Sequence, residues 1–347
     1  MILVSLRDLQ FRRRRFFVAI AGTSLVLGLT LVLAGVSSTF VNEARRTTAA
    51  FHAQGWVLPD GVEGPFLSSA TLPAALADQI TAETGVPAVP VAVLHGTVDV
   101  HGTPKQTNIF GVPPGTFAAP PVREGRAPTS SGELVVDDQL GLGVGDELEV
   151  AGHQVVVVGR THGLSYAASV PNSYVILSDA QLLGFGGEAL ATTIVTSRPI
   201  TPPAGYVSRS NDEVRADVLA PLKNPRQTIN AVLGLLWLVA AMIIGSVVYL
   251  SALDRVRDFA VFKAMGAGDR AVLSGLLTQS FLLCGIAYII GVVLSRVLGP
   301  VLPMPAEISN LAYVALAGVA VLVALLSSLA AVRRALSVDP ALAFGGA

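Results

Sequence analysis

Cysteine is almost missing from this sequence. Its 347 residues include one, Cys284, inside an apolar run, so no disulfide can form within the chain, and any exported part needs an ordinary core. Charge is scarce as well. Asp, Glu, Lys and Arg make up 14% of the residues with a net charge of −1, which removes the basic field that a nucleic-acid partner would require. The phosphate-cradling pattern G-x-x-x-x-G-K-[ST] does not occur, so the chain has no P-loop for ATP. GLGVGD (141–146) leads into a strand-like run rather than a helix and reads as a turn. The histidines, His52, His95, His101, His153 and His162, form no HExxH and sit in no Cys/His pair; they read as surface or core side chains, not metal ligands. GLSYA (163–167) lacks the closing glycine of a nucleophile elbow. No catalytic, cofactor-binding or metal constellation remains, and the chain is expected not to be an enzyme by itself.

Apolar residues dominate what is present: 52% of the chain, with a mean hydropathy of +0.63. That is too apolar for an ordinary soluble protein and too polar for one made only of membrane spans. Crossing a bilayer takes roughly 20 apolar residues in a helix, and four stretches reach that length: 16–40, 228–253, 271–298 and 311–332. They are free of charge except for Arg296 near the end of the third, where it can snorkel to the headgroups. The first follows FRRRR like a signal peptide. It is longer than the roughly 7–15 apolar residues of a signal core and has no A-x-A cleavage site, and LAGV (33–36) has Val36 where a lipid-bearing cysteine would stand, so an uncleaved anchor is expected.

Basic residues in short loops fix orientation. Residues 1–15, 254–270 and 333–347 together hold 11 basic residues against five acids; residues 41–227 also hold 11, but against 18 acids. The expected arrangement has both termini and the 254–270 loop in the cytoplasm. Residues 41–227 and the turn at 299–310 are expected outside. The fold class is then an α-helical membrane protein with four transmembrane helices and a large α+β extracytoplasmic domain between the first and second.

Within 41–227, ELVVDD (133–138), ELEVAG (147–152), HQVVVVGR (153–160) and SYVILS (173–178) read as strands broken by Gly-Asp and Ala-Gly turns. LPAALADQITAETG (72–85) reads as a helix ended by Gly85, SDAQLLGFGG (178–187) as one capped by Ser178 or Asp179, and NDEVRADVLAPL (211–222) as one leading back to the membrane. The domain is expected to have one or two lobes.

The cytoplasmic loop DRVRDFAVFKAMGAGDR (254–270) has seven charged residues among seventeen. As a helix it would bring Phe259, Phe262 and Met265 onto adjoining turns, flanked by Arg257 and Lys263 and ended by Gly266 and Gly268. An apolar knob with basic edges suits docking into a partner's groove; a loop that merely fixes topology is the other reading.

RVRDFAVFKAMGA (255–267) resembles the coupling segment of FtsX-like, or MacB-like (type VII), ABC transporter permeases, whose pattern is approximately R-x-R-E-I-G-[IV]-L-K-A-[LM]-G-A. Asp258 replaces the usual Glu, Phe259 an Ile and Ala260 a Gly. Residues 122–161 resemble the family's extracytoplasmic core through G-R-x-P (125–128), G-E-L-V-V (132–136) and L-x-V-G-D (142–146). AVRRALSVDPALAFGG (331–346) is similar to the family's C-terminal segment, and SLRDLQFRRRRF (5–16) to its N-terminal interfacial helix. Residues 41–121 carry no resemblance.

The resemblance implies a permease subunit in the plasma (inner) membrane of a bacterium, paired with an identical or paralogous permease and a cytoplasmic ATPase dimer that binds the ATP and Mg. Arg257, Asp258, Phe259, Phe262, Lys263, Met265, Gly266 and Ala267 would form the ATPase-coupling site, with Phe259, Phe262 and Met265 inserting and Arg257 and Lys263 touching the ATPase surface. The implied function is export or extraction of a lipid, lipoprotein, peptide or drug by movement of the outer domain. Mechanical activation of a cell-wall hydrolase, through an extracytoplasmic protein partner, and import of an amino acid are the alternatives. Small residues also recur every four positions, at Ala287, Gly291, Ser295 and Gly299 and at Ala320, Ala324 and Ser328. They would allow close helix approach within one chain or across a dimer.

Overall fold

The computed structural model describes residues 13–100, 102–254, 269–301 and 306–336. The chain divides into a helical unit, up to Thr39 and from Pro225 onward, and an inserted unit, Phe40–Asn224.

The helical unit is built from α1 (Arg13–Ala49, continuing past the unit), α5 (Lys223–Asp254), α6 (Asp269–Leu298) and α7 (Asn310–Leu336). All four are long and apolar enough to cross a membrane. With no hydrophobic drive between helices in lipid, close approach and polar contacts must join them. The small-residue rows supply the approach: Ala287, Ser295, Ala324 and Ser328 are buried within this one chain. A Cβ on Gly28 of α1 would come within 3.2 Å of the Gly291 carbonyl, and one on Gly291 within 3.1 Å of the Gly28 nitrogen. The two helices therefore cross where neither carries a side chain. Gly299, by contrast, has open space around it. Gln279 Nε2 donates to Ser251 Oγ at 3.1 Å, a buried polar link between α6 and α5, and Ser327 Oγ of α7 donates to the Ala241 carbonyl of α5 at 3.3 Å. Apolar contacts among Phe16, Ile244, Val248, Leu283 and Ala324 fill the space around these links.

Among the described residues the inserted unit has thirteen strands. β1 (Gly55–Pro59), β12 (Thr193–Thr196) and β13 (Tyr206–Arg209) form an antiparallel sheet with the first residues of β3 (Ala88–Val100). From Ala92 onward the long β3 leaves that sheet and pairs instead with β4 (Thr103–Val112). A mixed ring follows: β4 runs parallel to β10 (Val170–Ile176), β10 antiparallel to β6 (Glu133–Asp137), and β6 parallel to β8 (His153–Thr161). β7 (Glu147–Val150) then joins β8 to β3 by the Val98–Val150 bridge. Inside the ring lie Val98, Ile109, Leu134, Val136, Leu148, Val157 and Val175, as the period-two alternation of these strands requires. β5 (Glu124–Gly125) edges β8, β9 (Ser165–Tyr166) edges β10, and β2 (Leu72–Pro73) pairs with β11 (Leu190–Ala191).

Helices close the two parts. α2 (Leu76–Thr84) is ended by Gly85 in the left-handed region and packs Leu76, Ala77 and Ile80 against Val57 and Ile194 of the first sheet. α3 (Leu177–Phe185) covers the ring through Ala180. α4 (Asn211–Leu219) starts with a capping box between Ser210 and Glu213 and leads through a 3-10 turn (Ala220–Leu222) into α5. On the sheet face opposite α2, Phe51, Trp56, Phe66, Phe110 and Tyr166 form an aromatic cluster of edge-on and tilted pairs with ring centroids 5.1–6.1 Å apart.

One expectation needs correction. Ser178 and Asp179 do not cap α3: Ile176 stands at the cap and makes no side-chain bond. Strand β10 runs straight into the helix, and Asp179 instead accepts from Ser131 Oγ at 2.7 Å and Gly132 N at 2.9 Å. The helix that carries the first span runs on past residue 40 to Ala49. The stretch without resemblance, 41–121, holds the end of α1 and the β3–β4 hairpin.

Candidate functional site

The expected ATPase-coupling residues, Arg257 to Ala267, lie outside the described residues, as do the N-terminal segment before Arg13 and the C-terminal segment after Leu336. The polar constellation that is described lies in the inserted unit, where the last turns of α1 enter it.

Glu43 on α1 is 3% exposed. Its carboxylate accepts from Ser165 Oγ at 3.1 Å, Ser169 Oγ at 2.5 Å and Ser169 N at 3.2 Å. One turn further along, Thr47 Oγ1 donates to the Ser165 carbonyl at 3.0 Å and accepts from Asn172 Nδ2 at 3.1 Å. The segment so gripped is strained. Ala167, Ala168 and Ser169 have φ of 55°, 66° and 66°, three successive left-handed residues with side chains, each costing about 1–2 kcal/mol. Such a turn persists only where its surroundings over-determine it, and Glu43 with Thr47 provides that determination from α1.

The return helix is tied to the same place. Arg215 Nε of α4 donates to Thr48 Oγ1 at 3.2 Å. At the start of α4, Asn211 accepts from Trp56 Nε1 at 2.7 Å and donates to the Ala53 carbonyl at 2.8 Å. The two helices that continue into the helical unit, α1 directly and α4 by way of α5, are thus hydrogen-bonded to each other inside the inserted unit.

A second buried acid organises the approach to the turn. Asp137, at the end of β6, is fully buried and accepts from Thr161 Oγ1 at 3.0 Å, Leu164 N at 2.8 Å and Gln139 N at 3.3 Å. Burial pushes its pKa up to about 6 against those bonds. Its neighbour Asp138 pairs with His162. Burial works to raise the Asp138 pKa, but the bonds from His162 and Asp137 outweigh it and the net shift is downward. A cleft of about 340 Å³ opens there, lined by Arg123, Glu124, Asp138, Arg160, Thr161 and His162, and the Arg160–Glu124 ion pair and the His162–Asp138 hydrogen bond occupy it.

The motifs of 122–161 prove to be structural. Arg126 of G-R-x-P makes a two-pronged pair with Glu133 of G-E-L-V-V. In L-x-V-G-D, Asp146 accepts from Gly143 N at 2.8 Å, and Gly145 N bonds the Val157 carbonyl at 2.8 Å. GLGVGD is a turn before β7. His52 and His153 are exposed, His95 lies on β3, and His101 is outside the described residues. Among the described residues no three His, Cys, Asp or Glu side chains converge as metal ligands would. Sequence reasoning missed Glu43, Thr47, Ser165 and Ser169; the available signal was helix-forming NEARRTTA (42–49) continuing the first span with an acid in it.

Residues 230–340 match the family model described as FtsX-like permease C-terminal. Over the full length, the chain is 38% identical to the uncharacterized ABC transporter permeases Rv2563 and Rv0072 of Mycobacterium tuberculosis (strain H37Rv), across 348 residues and 100% of both chains in each case. The chain belongs to the FtsX-like family of ABC transporter permeases. It is also 20% identical to the putative hemin transport system permease protein HrtB of Staphylococcus epidermidis, over 65% of this permease and 67% of that protein. Among solved structures, the extracellular domain of the noncanonic ABC-type transporter YknZ from Gram-positive bacteria aligns with 46% of the permease and 99% of that chain at 14% identity and a TM-score of 0.34. The periplasmic region of MacB from Actinobacillus actinomycetemcomitans aligns with 48% and 92% at 12% identity and a TM-score of 0.37. As an ABC transporter permease with four apolar helices, the protein is a multi-pass membrane protein, and it implies a cytoplasmic ATPase partner.

Proposed function

We propose that this permease converts ATP hydrolysis by a separate cytoplasmic ATPase into movement of residues 41–227 outside the membrane, exporting or extracting an amphipathic lipid, lipoprotein, peptide or drug. The observation that carries this reading is α1: one unbroken helix contains the first span and ends clamped into the inserted domain by buried Glu43 and Thr47. A helix held at such a joint transmits displacement; a loop there would absorb it. The relative named for hemin transport, an amphipathic molecule, agrees with that substrate class. ATP and Mg belong to the partner ATPase in this proposal, and the permease itself needs no cofactor. Two permease chains, identical or paralogous, stand on an ATPase dimer, with both termini cytoplasmic.

On the cytoplasmic side, Phe259, Phe262 and Met265 insert into a cleft of the ATPase, with Arg257, Asp258 and Lys263 at its rim and Gly266 and Ala267 ending the helix. The experiment is purification of the tagged chain from its own membrane in gentle detergent. A P-loop ATPase at near-equal stoichiometry, lost on Phe262→Asp while the permease stays folded, supports the proposal. A permease that neither carries an ATPase nor binds one when supplied contradicts it.

A further inference from the structure

The inserted domain has a strand edge left open beside the turn that Glu43 holds. β10 pairs with β4 only from Asn108 to Val112, so Thr103–Thr107 of β4 have no strand on that side among the described residues. The hairpin register states which groups face the opening. Val100 pairs with Thr103, the mutually bonded kind of pair that closes a tight hairpin. Alternation then turns the main-chain N–H and C=O of Gln106, and the C=O of Pro104, away from β3. Pro104 agrees with this parity: a proline is accommodated in a strand where its missing N–H faces outward.

The opening is a groove of about 360 Å³ with a neutral polar floor. His95, Thr97, Gln106 and Asn108 share one face of the β3–β4 hairpin, by the pairing of His95 with Asn108 and of Thr97 with Gln106. Ala167 and Val170, from the left-handed turn and the start of β10, line the wall. Asn108 is 1% exposed. Its Nδ2 donates to the Val170 carbonyl at 3.0 Å and to Asn172 Oδ1 at 3.1 Å, while its Oδ1 has no hydrogen-bond partner. A buried acceptor left open normally finds a donor. Among the described residues, His95 is the one ionisable group lining the groove. Its Nε2 is 3.1 Å from Tyr166 Oη, and partial burial lowers its pKa, which favours the neutral ring.

We infer that this groove is a docking site for an extended, uncharged polypeptide segment of an extracytoplasmic protein partner, which adds a strand to the free edge of β4 at Pro104–Thr107. The open main-chain donor and acceptors ask for another main chain. The uncharged lining gives no pairing partner to a charged headgroup or an ionic ligand. The occupied groove would press on Ala167 and Val170, next to Ser169 and Glu43, so binding and the movement of α1 share one turn. The inference rests on the proposed reading in placing the domain outside the cytoplasm.

The test uses the full chain in its own membrane with its ATPase, carrying a photo-cross-linking side chain in place of exposed Thr97. Labelling of Thr97→Cys in intact cells by an impermeant maleimide checks the outside placement separately, since the natural Cys284 is buried. The expected result is an adduct on alternate residues of one segment of one extracytoplasmic protein. Its yield should fall about tenfold in Gln106→Pro, which removes the edge N–H and so about one net hydrogen bond. Gln106→Ala, which keeps the main chain, should retain the adduct. Gln106→Lys, on an exposed side chain and therefore neutral for folding, should block the edge as Gln106→Pro does. No adduct, adducts only on lipid or on a second copy of this chain, or equal yields in Gln106→Pro, Gln106→Lys and Gln106→Ala, would each overturn the inference.

Discussion

Glu43 and Ser169 stand 126 residues apart in the chain, and the carboxylate of the first accepts both the hydroxyl and the main-chain N–H of the second. Replacing Glu43 with Ala strands the buried Ser165 hydroxyl and the half-buried Ser169 hydroxyl and N–H beside a strained turn, at a cost of about 2 kcal/mol or more. Glu43→Gln should be milder, because an amide oxygen at the Oε2 position still accepts from Ser169 N while its N–H₂ can donate to the two serine hydroxyls. In reconstituted complexes Glu43→Ala should keep ATP hydrolysis and lose transport, with Glu43→Gln in between. Transport undiminished in Glu43→Ala would show that the joint does not carry the motion.

The turn itself can be relieved. Ala168 has φ 66° and its side chain takes no part in the Glu43 bonds. Ala168→Gly should therefore stabilise the permease by about 1 kcal/mol, by removing a left-handed penalty that glycine does not pay. Part of that gain is lost to the glycine's freer unfolded state. Thermal melting in detergent would read a higher midpoint; a lower one would mean that the turn is not left-handed at this position.

Asp137 makes stability depend on pH in an unusual direction for an acid. Its pKa rises from 3.8 to about 6 on folding, mainly through burial, so between those values the folded state holds more protons than the unfolded one. The contribution of this group is then favourable in acid, fully present below about 4, and lost as pH rises through 6. Melting midpoints measured from pH 7.5 to 4.5 should rise more in the wild type than in Asp137→Asn, which carries no such proton. Parallel profiles would assign the effect elsewhere.

Arg126 and Glu133 have the opposite sign. The bond from Arg126, with those from Thr129 N and Ser130 N, holds the Glu133 carboxyl at about 2. Its contribution is present above the ordinary value of 4.5 and fades as pH falls towards 2. Arg126→Ala removes one exposed partner and should matter less than Glu133→Ala, which leaves two main-chain donors without an acceptor. Equal melting temperatures for the two variants would contradict this ordering.

Some of this was legible in the residues. The four spans, the strand runs from Glu133 to Ser178 and the stop at Gly85 follow from periodicity and glycine chemistry alone, and β7 turns into β8 at Ala151–Gly152, both with positive φ. The β3–β4 hairpin was hidden because Pro90 and Gly96 interrupt VPVAVLHGTVDV, although Pro90 sits where β3 passes from one sheet to the ring. Ser-Asp at 178–179 imitates a helix cap, and only the strand arriving at Ile176 displaces it. The joint was illegible for a plainer reason: Glu43, Ser165 and Ser169 meet through tertiary packing, and no local spacing announces it. The coupling segment shows the reverse case, legible as sequence from Arg255 to Ala267 and lying outside the described residues.

Hydrogen exchange at the Ser169 amide tests the central proposal most directly. The permease would be reconstituted with its ATPase and compared nucleotide-free and trapped with ATP and vanadate. The expected result is a change in Ser169 exchange on trapping, abolished by Phe262→Asp at one end of the linkage and by Glu43→Ala at the other. Identical exchange in both states, while ATP is still turned over, would contradict transmission through α1.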